Sequence, residues 1–224
     1  MKSTLRILST KTLSLAQKNQ IIAMGFNYTE HNFIETQIVP FNYVENNCTL
    51  LFSSQNAVKS VYSKSGIYTI LKNKKCYCVG EKTKNLLVKK GLKVVHFEKN
   101  SSDLADFIIE KAKYEKFWFF CGKERRLELE TKLRDENIEI YPSEVYQTSL
   151  KPKEMGLFDV ILFYSPSGVN SFLENNKINQ SICVCIGPTT ANSILVPQKN
   201  ILIASKPTIE NMIYTIIKKL NTHD

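Results

Sequence analysis

Two stretches of this chain repeat each other, and the repetition limits the fold more than any single motif. Leu51–Val58 reads LFSSQNAV, and Leu162–Val169 reads LFYSPSGV at an offset of 111 positions. Cys78–Thr83, CVGEKT, recurs as Cys185–Thr190, CIGPTT, at an offset of 107. In each case an apolar run meets a polar turn and then a helix-like segment. Two different units recur in the same order with nearly the same spacing. Chance convergence of common turns does not account for both order and spacing, so the chain reads as an internal duplication of α/β units.

The clearest copy is Val160–Phe172, VILFYSPSGVNSF. Its five leading apolar residues read as a strand buried on both faces, as in parallel sheets. Ser165-Pro166-Ser167-Gly168 cannot continue a strand. Its serines and glycine suit a tight turn whose free N–H groups open the following helix. Open α/β sheets bind anions at such turns, although most strand–turn–helix junctions bind nothing.

Along the chain, strands and helices alternate. Strands are expected at Leu5–Thr10, Phe33–Val39, Thr49–Ser53, Lys75–Val79, Lys93–Phe97, Phe117–Cys121, Ile138–Tyr141, Glu144–Thr148, Val160–Tyr164, Ile182–Ile186 and Ile201–Ala204. Between them lie helical patterns at Ser14–Met24, Asn56–Ser63, Thr83–Lys90, Ser101–Lys111 and Arg125–Glu136. The last helix carries one apolar stripe of Ile209, Met212, Ile213, Ile216, Ile217 and Leu220. Alternation of this kind argues parallel sheets with helices on both faces. Leu5–Val39 holds too few strands for a complete sheet and is expected to take three more from the region after Lys151. The expected division is therefore a discontinuous α/β domain of residues 1–37 and 149–224 and an inserted α/β domain of residues 41–144.

Composition narrows the function classes. With 43% hydrophobic residues the chain is globular, and no apolar run approaches membrane-spanning length. The N-terminus lacks a signal-peptide core, so a cytoplasmic location without a membrane partner is expected. The six cysteines include two Cys-x-Cys pairs, Cys76/Cys78 and Cys183/Cys185, on strand-like runs. That spacing puts both thiols on one face, unlike the Cys-x-x-Cys of zinc or redox sites, and points to buried free thiols in a reducing compartment. The net charge of +9 suits an anionic partner. The basic residues are scattered and no nucleic-acid-binding signature is present; the excess also suits a small polyanion, and charge alone does not separate the two.

Conventional catalytic sets are missing. His31, His96 and His223 stand apart from any Ser or Cys motif, and there is no triad, metal cluster or phosphate-binding glycine loop. Neither metal nor cofactor is expected. What recurs is polar turns after strands: Ser53-Ser54-Gln55, Gly80-Glu81-Lys82-Thr83, Gly122-Lys123, Ser165-Pro166-Ser167-Gly168 and Gly187-Pro188-Thr189-Thr190. Helix N-termini and hydroxyls are equipment for holding carboxylates. The residues alone leave open an enzyme, a non-catalytic two-domain binding protein for a small polycarboxylate and, as the weakest reading, a nucleic-acid binder.

Taken in order, FSSQNAV (52–58), VGEKT (79–83), VYQT (145–148), FYSPSGV (163–169), IGPTTA (186–191) and ASKPT (204–208) resemble uroporphyrinogen-III synthases over nearly the whole chain. The resemblance implies two flavodoxin-like parallel-sheet domains joined by a two-stranded connector, here Thr36–Pro40 and Glu144–Thr148, with the active site in the cleft between them. It implies a monomeric lyase that closes linear hydroxymethylbilane, which bears eight carboxylates, to uroporphyrinogen III with inversion of ring D and loss of water. Substrate contacts are expected from Ser53, Ser54, Gln55, Gly80, Lys82, Thr83, Gly122, Ser165, Ser167, Gly168, Val169, Gly187, Thr189 and Thr190. Tyr146 is the expected catalytic side chain, placed to donate to the departing hydroxyl. Lys11 departs from the pattern, because an arginine is expected after the first strand.

Overall fold

The structure is a computed structural model that describes residues 4–42, 47–195, 197 and 200–221. The chain forms two compact units, Met1–Glu35 with Ser149–Asp224, and Thr36–Thr148. In chain order the elements begin with β1 (Arg6–Ser9), α1 (Leu15–Ala23), β2 (Asn27–Glu30) and β3 (Ile34–Ile38). Next come β4 (Thr49–Phe52), α2 (Gln55–Tyr62), α3 (Ile67–Leu71), β5 (Lys75–Val79), α4 (Glu81–Lys89) and β6 (Lys93–Glu98). They are followed by α5 (Ser101–Lys111), β7 (Phe117–Gly122), α6 (Glu128–Asp135) and β8 (Ile140–Leu150). The chain ends with β9 (Val160–Phe163), α7 (Pro166–Asn175), β10 (Ile182–Cys185), α8 (Pro188–Ala191), β11 (Ile201–Ile203) and α9 (Ile209–Asn221).

One sheet has the order β11-β10-β9-β1-β2, and the other β6-β5-β4-β7-β8-β3. Pairing is parallel from β11 to β2 in the first and from β6 to β8 in the second. The repeated motifs equate β9 with β4 and β10 with β5. On that equivalence β11-β10-β9-β1-β2 and β6-β5-β4-β7-β8 are the same spatial order, reached with a different chain start. The duplication read from turn motifs is thus present in the topology.

Each sheet buries both faces. In the second, Leu50, Phe52, Cys76, Cys78, Trp118 and Phe120 pack with Val58 and Val61 of α2 and Leu87 of α4. On the other face, Leu51, Tyr77, Phe117, Phe119 and Cys121 meet Leu104 and Ile108 of α5 and Leu129 and Leu133 of α6. Residues i and i+2 share a face, so each Cys-x-Cys pair enters one cluster. All six cysteines are buried and free.

Three expectations change. The second strand of the first sheet is β2, Asn27–Glu30, and not Phe33–Val39. NYTE lacks an apolar run because it is an edge strand with only its inner side covered. Phe33 is a core residue of the first unit, while β3 lies beside β8. Second, the strands expected at Ile138–Tyr141 and Glu144–Thr148 are one strand, β8, that passes through Pro142. Third, α6 starts at Glu128, because Arg125 is held in the preceding loop. In α9 the apolar stripe packs through Met212, Ile213 and Ile216. The Leu220 side chain and His223 lie outside the described residues. No helix among the described residues is long and apolar enough to cross a membrane.

Candidate active site

In the second unit the strand order sets the carboxyl ends of β5, β4, β7 and β8 side by side. The order reverses between β4 and β7, the place where open sheets of this type leave a ligand crevice. Ser54 follows β4 and N-caps α2, its Oγ accepting the Ala57 N–H at 3.1 Å. The same oxygen lies 3.0 Å from the Tyr146 hydroxyl. The first two amides of α2, at Gln55 and Asn56, have no intrahelical acceptor, as at any helix start.

Tyr146 owes its place to two local features. Cys121 faces Glu144 but Gly122 faces Tyr146, so Val145 is an extra residue in β8. Such a bulge re-aims the side chain that follows it. The tyrosine ring then rests on Gly122. A Cβ at that glycine would stand 2.7 Å from Cζ, 2.8 Å from Cε2 and 2.9 Å from the hydroxyl oxygen. The demand is for space alone, since Gly122 is not among the positive-φ residues.

Gly80, by contrast, does adopt φ +85°. Its N–H donates to Glu98 O at 2.7 Å, and its carbonyl accepts from Thr83 and Lys84. The amide expected to meet a ligand is therefore engaged inside the unit. Lys82 is exposed and Thr83 buried.

The first unit repeats the pattern after β9 and β10. Ser165 N-caps α7, accepting the Gly168 N–H at 3.1 Å, and its hydroxyl lies 3.1 Å from that of Ser167. Thr10, at the end of β1, donates its hydroxyl to Leu162 O at 2.7 Å and borders Gly168. Gly187 is extended at φ −177°, with open space where a Cβ would go. Thr189 is exposed and Thr190 buried. Val169 is a fully buried core residue packed with the Phe163 and Phe172 cluster. Lys11 is exposed, with its carbonyl held by the Ser9 hydroxyl at 2.6 Å.

A polar network not visible in the sequence braces this end of the first sheet. Ser9 Oγ meets the Tyr164 hydroxyl at 2.9 Å, and Tyr28 donates to Glu30 at 2.7 Å. Glu30 also accepts from Lys18 and from the Leu13 N–H. Burial alone would raise the Glu30 carboxyl, but these three donors outweigh it and hold it below the usual range. Burial drives both tyrosine hydroxyls well above their ordinary value. A second unexpected group, Arg125 with Glu130 and Glu144, stands beside Gly122. Two cavities, of about 650 and 490 Å³, open at the amino ends of the strands, away from all these turns. The hydroxyls, helix starts and glycines gather instead at the carboxyl ends.

The family model described as Uroporphyrinogen-III synthase HemD matches residues 14–214. The chain belongs to the uroporphyrinogen-III synthase family. Uroporphyrinogen-III synthetase from Helicobacter pylori is similar at a TM-score of 0.74 and 20% identity, over 96% of this chain and 100% of that one. A mutant uroporphyrinogen III synthase from Thermus thermophilus is similar at a TM-score of 0.69 and 13% identity, over 98% and 100%. At such identities the likeness is one of fold, and that fold is the two-domain α/β arrangement. No curated protein sequence matches the chain. Family membership makes it a cyclising lyase of tetrapyrrole synthesis.

Proposed function

We propose that the chain closes linear hydroxymethylbilane to uroporphyrinogen III, inverting ring D and releasing water, with Tyr146 as the proton donor. The observation that carries this reading is the Tyr146–Ser54 hydroxyl pair seated on Gly122 at the carboxyl edge of the second sheet. Pyrroles are electron-rich and the hydroxymethyl group leaves readily, so the chemistry needs little help. The enzyme's task is to present the substituted carbon of ring D, and not the free one, to the electrophilic carbon left by the departing hydroxyl. A phenol that donates to that hydroxyl as it leaves speeds the step. Ser54 orients the phenol while capping α2.

The substrate carboxylates take the open helix starts and hydroxyls: Ser53, Ser54 and Gln55 at α2, and Ser165, Ser167 and Gly168 at α7. Gly187 and Thr189 offer an unobstructed turn at α8, and Lys82 a cation at α4. Gly80, Thr83 and Thr190 shape these turns from within. On this reading the chain works as a cytoplasmic monomer on a small molecule, without nucleic acid, membrane, metal or cofactor. The test is incubation with freshly generated hydroxymethylbilane followed by isomer analysis of the product. The type III isomer in excess over the spontaneous symmetrical product is expected; the symmetrical isomer alone would refute the assignment.

A further inference from the structure

Arg125 holds a position that neither the fold nor the proposed chemistry explains by itself. It lies three residues past Gly122, with its side chain 16% exposed. Its Nε and one terminal nitrogen face the carboxylate of Glu130, which is 6% exposed. The other terminal nitrogen donates to Gly122 O at 3.3 Å and to Glu144 at 2.9 Å. One guanidinium thus grips α6, the end of β7 and β8 together. Two further bonds tie the same loop to β8: Lys123 N–H to Tyr146 O, and Thr148 N–H to Glu124, both at 2.9 Å.

These contacts bracket the bulge at Val145. Backbone pairing alone does not fix which residue of β8 is the extra one, and a slip by one would turn Tyr146 away from its face. Bonds to the Glu144 side chain before the bulge and to Gly122 across from Tyr146 do fix it. A buried ion pair is poor evidence of stabilisation, since apolar replacements often do as well. A planar fork holding three partners at set angles does what a lysine point charge cannot.

We propose that Arg125 is a positioning residue, whose fork locks the β7–β8 bulge in the register that seats Tyr146 over Gly122 and against Ser54. The inference rests on Tyr146 being the proton donor. Removing Arg125 alone would strand buried Glu130, so the decisive variant is Glu144→Ala. It cuts the grip on β8 at a residue whose side chain is 45% exposed and leaves the buried pair intact. Arg125→Lys and the paired Arg125→Met/Glu130→Met change are companions.

The measurements are kcat, KM and product isomer ratio, each made with and without Tyr146→Phe. Tyr146→Phe alone is expected to lower kcat about 10²–10⁴-fold. Glu144→Ala is expected to lower kcat about ten- to a hundredfold, the effect of a misplaced group, with KM nearly unchanged. In the Tyr146→Phe background it should cost nothing more. Arg125→Lys should behave like Glu144→Ala. Wild-type kcat in Glu144→Ala overturns the proposal, as does the same fold-loss in both backgrounds, while Tyr146 keeps its role. Full activity of Tyr146→Phe removes the tyrosine assignment itself, and the positioning role falls with it.

Discussion

Gly122→Ala is the sharpest probe of the Tyr146 assignment, because the geometry fixes what the methyl group must do. The new Cβ would lie 2.7–2.9 Å from three atoms of the phenol. Real contacts of that kind are essentially never so short, so the ring must retreat by several tenths of an ångström. The retreat shifts the hydroxyl from its present place 3.0 Å from Ser54 Oγ. Overpacking of this sort costs about 1–3 kcal/mol, and a lost hydrogen bond about 0.5–1.5 kcal/mol. For a chain of this size each kcal/mol lowers the melting temperature by about 2–4 °C. The protein should therefore still fold at assay temperature. Its kcat should fall about ten- to a hundredfold, the effect of a misplaced group, and no further than that of Tyr146→Phe. The assay is uroporphyrinogen III formed per folded enzyme, well below the melting point. Wild-type turnover with the melting temperature lowered as expected would show that the phenol's seat is irrelevant to the reaction.

Gly187→Ala should leave stability within about 0.5 kcal/mol, since nothing lies where the Cβ would go and the backbone is extended; a raised KM would report the substrate at that turn, and unchanged kinetics would exclude it. Thr190→Ala should cost about three- to tenfold in rate, the worth of one neutral hydrogen bond, against a much larger loss for Tyr146→Phe. If the two results are reversed, the chemistry belongs to the Gly187–Thr190 turn. Glu30 is held below the usual carboxylate range, so its stabilisation is full above the unfolded-chain pKa and is lost as pH falls through the lower folded value. Glu30→Gln should flatten the acid limb of urea stability against pH; an unchanged limb would show the carboxylate contributes nothing. Burial pushes the thiols of Cys76, Cys78, Cys121, Cys183 and Cys185 up to about 12. Native protein at pH 8 should resist thiol reagents and yield six reactive groups on unfolding; a fast-reacting thiol in the native state would contradict this.

Much of this architecture was legible in the sequence because its signals are local. LFSS and LFYS announce buried strands that break at a helix cap, and Ser54 and Ser165 are those caps. The edge strand β2 was not legible, since NYTE buries only one side and shows no apolar run. The Val145 bulge leaves no trace in VYQT, because an extra residue is defined only against the strand beside it. The Arg125 fork was hidden for the same reason: Glu144 is 19 positions away in sequence and becomes a neighbour only through sheet register. The turn motif likewise did not show that Gly80 takes a positive φ or that its amide goes to Glu98.

The duplication itself sharpens where proton transfer belongs. Strand order equates β7 and β8 with β1 and β2. At the end of β7 stands Gly122 with Tyr146 above it; at the end of β1 stands Thr10, whose hydroxyl is spent on Leu162 O. Opposite Ser9 on β2 lies Glu30, which already accepts from Lys18, Tyr28 and the Leu13 amide. A carboxyl held below its usual range has no proton to give near neutral pH, and three internal donors occupy it. Further along β8 of the second unit, opposite Gly122, stands instead a phenol with one hydroxyl partner and a neighbour small enough to admit it. The two copies have thus diverged in kind. The first unit keeps turns that a carboxylate can approach, at Ser165–Gly168 and Gly187, over a sheet end closed by its own hydrogen bonds. The second keeps the hydroxyl to which the proposed function assigns proton transfer. Under the proposed function, changes at the first unit's turns fall on KM and those around Tyr146 fall on kcat.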